Sequence, residues 1–256
     1  MRPRLIVICY EWLIFMKKVF NKSILIAAAL FSCNGIAGLS LDTTRLNMYE
    51  KEKEIQYTAM NTSDDRAFLV NASISKSADK IKDKTSEFLI SPPLFRIDPT
   101  SKNSVRIRLI DNKNLPKDRE SIFYVTTSGI QATATPFKVE DNNRNNGGVK
   151  AGVAFKIKLF YRPNGIEPLS KESFNNSKVF IADKYVIIEN KSPYYMDLKG
   201  LKLDGERIKL PTLVNNLVKP YSQEKFSIDN NKVRKEAILM ITNDLGDVDE
   251  VKLKIN

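Results

Sequence analysis

From Leu39 onward, apolar and polar residues alternate in short runs broken by turn residues: LSLDTTRLNMY, EIQYTAMN, AFLVNASISK, SVRIRLI, SIFYVTTSGI and VAFKIKLFY. Alternation with a period of two puts successive side chains on opposite faces of a strand. With enrichment in Val, Ile, Tyr and Phe and a turn about every ten residues, it predicts an all-β sandwich. No segment sustains a helical period, and the best helical candidate is a single turn between Pro168 and Phe174.

The series stops at Arg162-Pro163-Asn164-Gly165, where Pro and Gly end a strand, and a polar stretch follows through Lys178. A second β series then runs through KVFIA, KYVIIEN, YYMDLKGLKL, EKFSID, AILMITN and VDEVKLKIN. The pattern predicts two sandwiches in tandem, residues 38–163 and 164–256. Residues 135–148 (TPFKVEDNNRNNGG) are polar, Asn-rich and end in Gly-Gly, which predicts a mobile loop. That loop leads into the run Val149 to Tyr161, read as an exposed edge strand. Leu159 and Tyr161 read as core positions, whereas Val149, Ala151 and Val153 follow the loop directly, where a strand overhangs its own sheet.

The first 37 residues change the compartment. Met16-Lys17-Lys18 opens a charged region, the apolar run Ser23 to Phe31 follows, and Gly35-Ile36-Ala37 supplies small residues for cleavage after Ala37. This is the layout of a secretory signal peptide, with an apolar run too short to span a bilayer. A second apolar stretch lies upstream of Met16, which makes Met16 the better initiator. Cleavage would remove Arg2, Arg4, Lys17, Lys18 and Lys22 together with Glu11, taking the formal charge from +11 to about +7.

The remaining basic residues are scattered rather than gathered into a tract interleaved with aromatics, which argues against nucleic acid as a partner. Both cysteines, Cys9 and Cys33, leave with the signal, and the chain has no His at all. An exported chain without thiols depends on its cores for stability, and without His or Cys most transition-metal sites and His-dependent catalysis are excluded. The carboxylate pairs Asp64-Asp65 and Asp247/Asp249 fall in turn-like stretches with no partner for acid–base work, and no Gly-rich phosphate cradle is present. No enzyme, cofactor, metal or small-molecule substrate is expected.

Four ordered segments, DTTRLNMY, SPPLFRIDPTSKNSVRI, LPKDRESIFYV and KIKLFYRP, with IENKSPYYM and ITNDLGD in the second half, resemble the PapD-like periplasmic chaperones of the chaperone–usher pilus pathway. The resemblance implies two immunoglobulin-like domains forming an L or boomerang with a cleft between them. It also implies a function: binding pilus subunits by donor-strand complementation and delivering them to an outer-membrane usher. On this resemblance the donated side chains are Val149, Ala151, Val153 and Phe155. Arg45 and Lys158 anchor the subunit's C-terminal carboxylate, with Lys156 on the same face as Lys158. Glu120, Arg162 and Asp244 form an interdomain ion-pair set.

Strand addition, of which chaperone–pilin pairs are a known instance, joins main-chain groups across an edge and buries every second side chain. An exposed apolar edge also invites self-capping dimers. The insertion at 135–148 lacks the cysteine pair that brackets it in long-loop relatives, so the chain falls between the two subfamily patterns. The alternative is an exported Ig-like structural or adhesive protein. The two domains joined at FYRP speak against it, since a pilus subunit would be a single sandwich and an adhesin would present loops.

Overall fold

Two hydrophobic cores organise the chain in the computed structural model, which describes residues 38–79, 83, 85–132, 152–210, 216–228 and 234–255. The first core is enclosed by β1 (Leu39–Leu41), β2 (Arg45–Tyr49), β3 (Glu54–Asn61), β4 (Phe68–Ser75), β5 (Phe88–Ser91), β6 (Leu94–Ile97), β7 (Lys102–Leu109), β8 (Ser121–Gln131) and β9 (Gly152–Arg162). They form one sheet in the order β1-β3-β7-β5 and a second in the order β2-β9-β8-β4-β6. Alternation explains the packing: Phe68, Val70, Ala72 and Ile74 of β4 are buried while Leu69 and Asn71 between them are exposed.

Every connection in this sandwich except β8 to β9 crosses between the two sheets. The crossing from β5 to β6 occurs at Ser91-Pro92-Pro93, where the Ser91–Pro92 bond is cis. Proline has no N–H to continue a ladder, so a Pro pair is where a strand can leave its sheet.

After a single 3₁₀ turn, Lys171–Phe174, at the helical candidate of the sequence, the second core is built from β10 (Lys178–Ala182), β11 (Tyr185–Asn190), β12 (Met196–Leu203), β13 (Glu206–Ile208), β14 (Leu217–Val218), β15 (Ser222–Ser227), β16 (Glu236–Thr242) and β17 (Val248–Lys254). Its sheets are β10-β11-β15 and β13-β12-β16-β17, with β14 paired to β12. The chain therefore adopts the tandem all-β sandwiches that the alternation predicts. The first cluster draws on Leu39 through Tyr161 and the second on Phe174 through Leu253.

Each sandwich is pinned by an Asn at a strand end. Asn61 Nδ2 donates to the carbonyls of Arg66, Ile97 and Asp98, and its Oδ1 accepts from Ser63 N at 3.0 Å. Asn190 repeats the arrangement: Nδ2 donates to the carbonyls of Tyr194, Val218 and Lys219, while Oδ1 accepts Ser192 N at 2.9 Å and Ser192 Oγ at 2.7 Å. The two sites share the sequence Asn-x-Ser.

One buried carboxylate makes the first sandwich sensitive to acid. Burial alone would raise Glu87, but hydrogen bonds from Lys76 Nζ at 2.7 Å and from the Thr85 hydroxyl outweigh it and hold the carboxyl at about 2, below its ordinary 4.5. A depressed carboxylate contributes stability above its unfolded pKa and loses it as pH falls from 4.5 toward 2. Lys76 is half exposed, which screens the pair and limits the contribution to about 1–2 kcal/mol. Glu87→Gln should therefore cost about that much at pH 7 and almost nothing at pH 2. Urea unfolding at the two pH values reads this directly, and an equal cost at both would show that the charge plays no part.

Candidate functional site

β9 pairs antiparallel with β8 along its length, from Gly152 opposite Ile130 to Tyr161 opposite Ser121. Its other side is covered only in part. Parallel β2 pairs with it from Arg45 opposite Lys158 to Tyr49 opposite Arg162. Among the described residues, nothing pairs with that side of Gly152–Ile157. The expectation of an edge strand through Tyr161 is corrected accordingly: the edge ends at Ile157, because β2 fills the lane beyond it.

Along β9, Ile157, Leu159 and Tyr161 are buried in the first core. Val153 and Phe155 lie on the same face and pack against that core while only partly buried. They stand at its rim, where the inward face of the strand runs out of its own sandwich. Val149 and Ala151 lie outside the described residues, as does the loop 135–148.

The two anchor candidates meet where the edge ends. Arg45 Nη1 donates to the carbonyls of Thr242 at 3.2 Å and Asn243 at 2.9 Å, tying the first sandwich to the end of β16. Its guanidinium lies 4.4 Å from the Phe160 ring centroid, and its buried Nε has no hydrogen-bond partner. Burial pushes the guanidinium pKa down, against the pull of Asp197, Glu120 and Asp244. Lys158 Nζ donates to Asp197 Oδ1 at 2.7 Å, and burial lowers its pKa despite that partner. Lys156, on the same face of the strand as Lys158, reaches the Ala78 carbonyl within the first sandwich.

Below this pair lies the joint. Arg162 Nε donates to Glu120 Oε1 at 2.8 Å, and its Nη1 and Nη2 grip both oxygens of Asp244 at 2.5 and 2.6 Å. Nη1 also reaches Tyr49 Oη at 2.8 Å, and the Tyr49 and Tyr194 rings lie 5.3 and 5.2 Å from the guanidinium. The second Glu120 oxygen accepts Tyr195 N at 2.9 Å. Arg162 and Glu120 side chains are each 1% exposed. Burial works against the Arg162 charge, but the two carboxylates hold its pKa raised. A planar five-donor group between two carboxylates fixes orientation as well as distance.

Three partners in this region were not singled out from the sequence. The Tyr49 and Tyr194 rings beside Arg162 are indistinguishable in sequence from ordinary core aromatics. Asp197 left no signal either: in YYMDL a carboxylate between apolar residues reads as an outward position of an alternating strand, although here it is buried along with Met196 and Leu198.

Residues 38–167 match the model of the pili and flagellar-assembly chaperone PapD N-terminal domain, and residues 161–252 match the pili assembly chaperone PapD C-terminal domain. The chain is 30% identical to the "Probable fimbrial chaperone protein ElfD" of Escherichia coli O157:H7, over 90% of this chain and 96% of the relative. It is 32% identical to the "Chaperone protein LpfB" of Salmonella typhimurium LT2, over 73% and 77%. Among solved structures, the YadV chaperone aligns with a TM-score of 0.68 at 22% identity, covering 84% of this chain and 98% of that one. A chain from the Salmonella enterica complex of SafA pilin with the SafB chaperone aligns with a TM-score of 0.68 at 19% identity, covering 87% and 97%, and both likenesses are of fold. With both sandwiches matched and a relative covered over nearly its whole length at this identity, the chain belongs to the PapD family of pilus-assembly chaperones.

Proposed function

We propose that the chain is a periplasmic chaperone that captures fimbrial subunits on the uncovered edge of β9, holds each subunit's C-terminal carboxylate between Arg45 and Lys158, and passes the subunit to an outer-membrane usher. One observation carries the reading: β2 begins at Arg45 opposite Lys158, so the unpaired edge Gly152–Ile157 ends at two cations. An extended segment laid there satisfies its backbone on β9, and a terminal carboxylate at its end finds charge-assisted donors. Val153 and Phe155 sit where an added sandwich would extend the first core, and each such side chain contributes roughly 1–3 kcal/mol on full burial. Glu120, Arg162 and Asp244 keep the second sandwich, which carries Asn243 and Asp197, in place beside the anchor. In the absence of a subunit, a second copy of the chain is the natural competitor for the edge.

The test is co-expression with a fimbrial subunit. Arg45→Ala and Lys158→Ala should each reduce recovered subunit by about ten-fold or more, the scale of a lost charge-assisted contact. Val153→Asp should abolish capture. Undiminished recovery with both cation variants would remove the anchor from the account.

A further inference from the structure

The anchor already contains a carboxylate. Lys158 Nζ and Asp197 Oδ1 are 2.7 Å apart, with the two side chains 15% and 9% exposed. Asp197 comes from β12, in the other sandwich, and also provides the leading attractive charge on Arg45. Lys199 adds a further cation near Lys158. The site is therefore a group of cations with a built-in anion, Asp197, bonded directly to one of them.

The donors offered to a ligand are shared with groups of the chain itself. Arg45 has committed Nη1 to the carbonyls of Thr242 and Asn243. The Lys158 ammonium has three donors, one of them directed at Asp197. A second carboxylate drawn to the same ammonium would approach Asp197 at a few ångströms, where like charges with little water between them repel strongly.

We propose that Asp197 is an internal stand-in for the ligand's carboxylate: it occupies Lys158 in the free chain and competes with an incoming chain terminus, weakening the grip on that terminus and easing its release. This rests on the reading of Arg45 and Lys158 as the anchor. A purely structural role for Asp197, as a bridge between the sandwiches, predicts the opposite response when its charge is removed.

The probe is a peptide of about ten residues alternating valine and threonine, made with a free C-terminal carboxylate and as the C-terminal amide, to fit an open sheet edge. Binding of both forms is measured by calorimetry or fluorescence to the wild type, Asp197→Asn and Lys158→Met. Asp197→Asn should bind the free acid about ten-fold more tightly while its affinity for the amide stays the same. Unchanged or weaker binding of the acid, or equal tightening of both forms, would overturn the proposal. Failure of the anchor shows differently: the wild type would then bind acid and amide alike, and Lys158→Met would change neither. Asp197→Ser provides a second, smaller replacement. If neither Asp197 variant retains a cooperative thermal transition, the carboxylate serves the fold and the proposal falls.

Discussion

Replacing Arg162 with methionine should lower the unfolding free energy by about 3–5 kcal/mol at neutral pH. Methionine fills much of the arginine's volume, so the loss reports charge and hydrogen bonding rather than a cavity. It leaves Glu120, 1% exposed, without its cation, and frees Asp244 from the two nitrogens that hold it. A buried carboxylate stripped of its partner is among the costliest single defects a fold can carry, whereas removing both charges is far milder. Adding Glu120→Gln to Arg162→Met should therefore recover part of the loss, because a neutral amide can still accept Tyr195 N. Urea unfolding of the single and double variants gives both values. A loss below about 1 kcal/mol in the single variant would mean that water replaces Arg162 at little cost.

Asn190→Asp should destabilise the second sandwich by about 3 kcal/mol despite the near-identity of the two side chains. The amide nitrogen donates to three carbonyls that converge on it, and the residue is fully buried. A carboxylate offers no donor, leaves those oxygens unsatisfied and places a negative charge among them. Ser192 N and Oγ would still be accepted at the other oxygen, so the defect is confined to the donor side. Amide hydrogen exchange should show the loss in β11, β14 and β15, with the first sandwich unaffected. Uniform loosening of both sandwiches would instead tie the Asn190 turn to the joint.

The fold was legible because a half-buried strand repeats its burial at every second residue, and β4 and β7 do so cleanly. Short strands were not: β13 and β14 span three and two residues, too few to show a period. Arg45 and Lys158 could be named only through family resemblance, since a lone cation on a strand gives no sign of what faces it across the sheet. The parallel pairing of β2 with β9 is what brings them side by side, and partners 113 residues apart leave no local pattern. Asp197 was missed for the same reason. Its neighbour Lys158 lies in the other sandwich, and only the folded joint brings the two together.

If the proposed capture holds, the position of the anchor along β9 also gives the captured segment a direction. A guest whose C-terminus lies at Lys158 and whose earlier residues reach back toward Gly152 must run the same way as β9. It then lies head to tail with β2, its last residue meeting Arg45, the first residue of that strand. Guest and host would together read as one strand of a sheet with a single break in the chain. The unpaired portion, Gly152 to Ile157, has room for about 20 Å of that strand at the usual rise. On the proposed reading, the position at which β2 begins would act as an end stop, setting the frame in which every incoming segment is measured from its last residue backward.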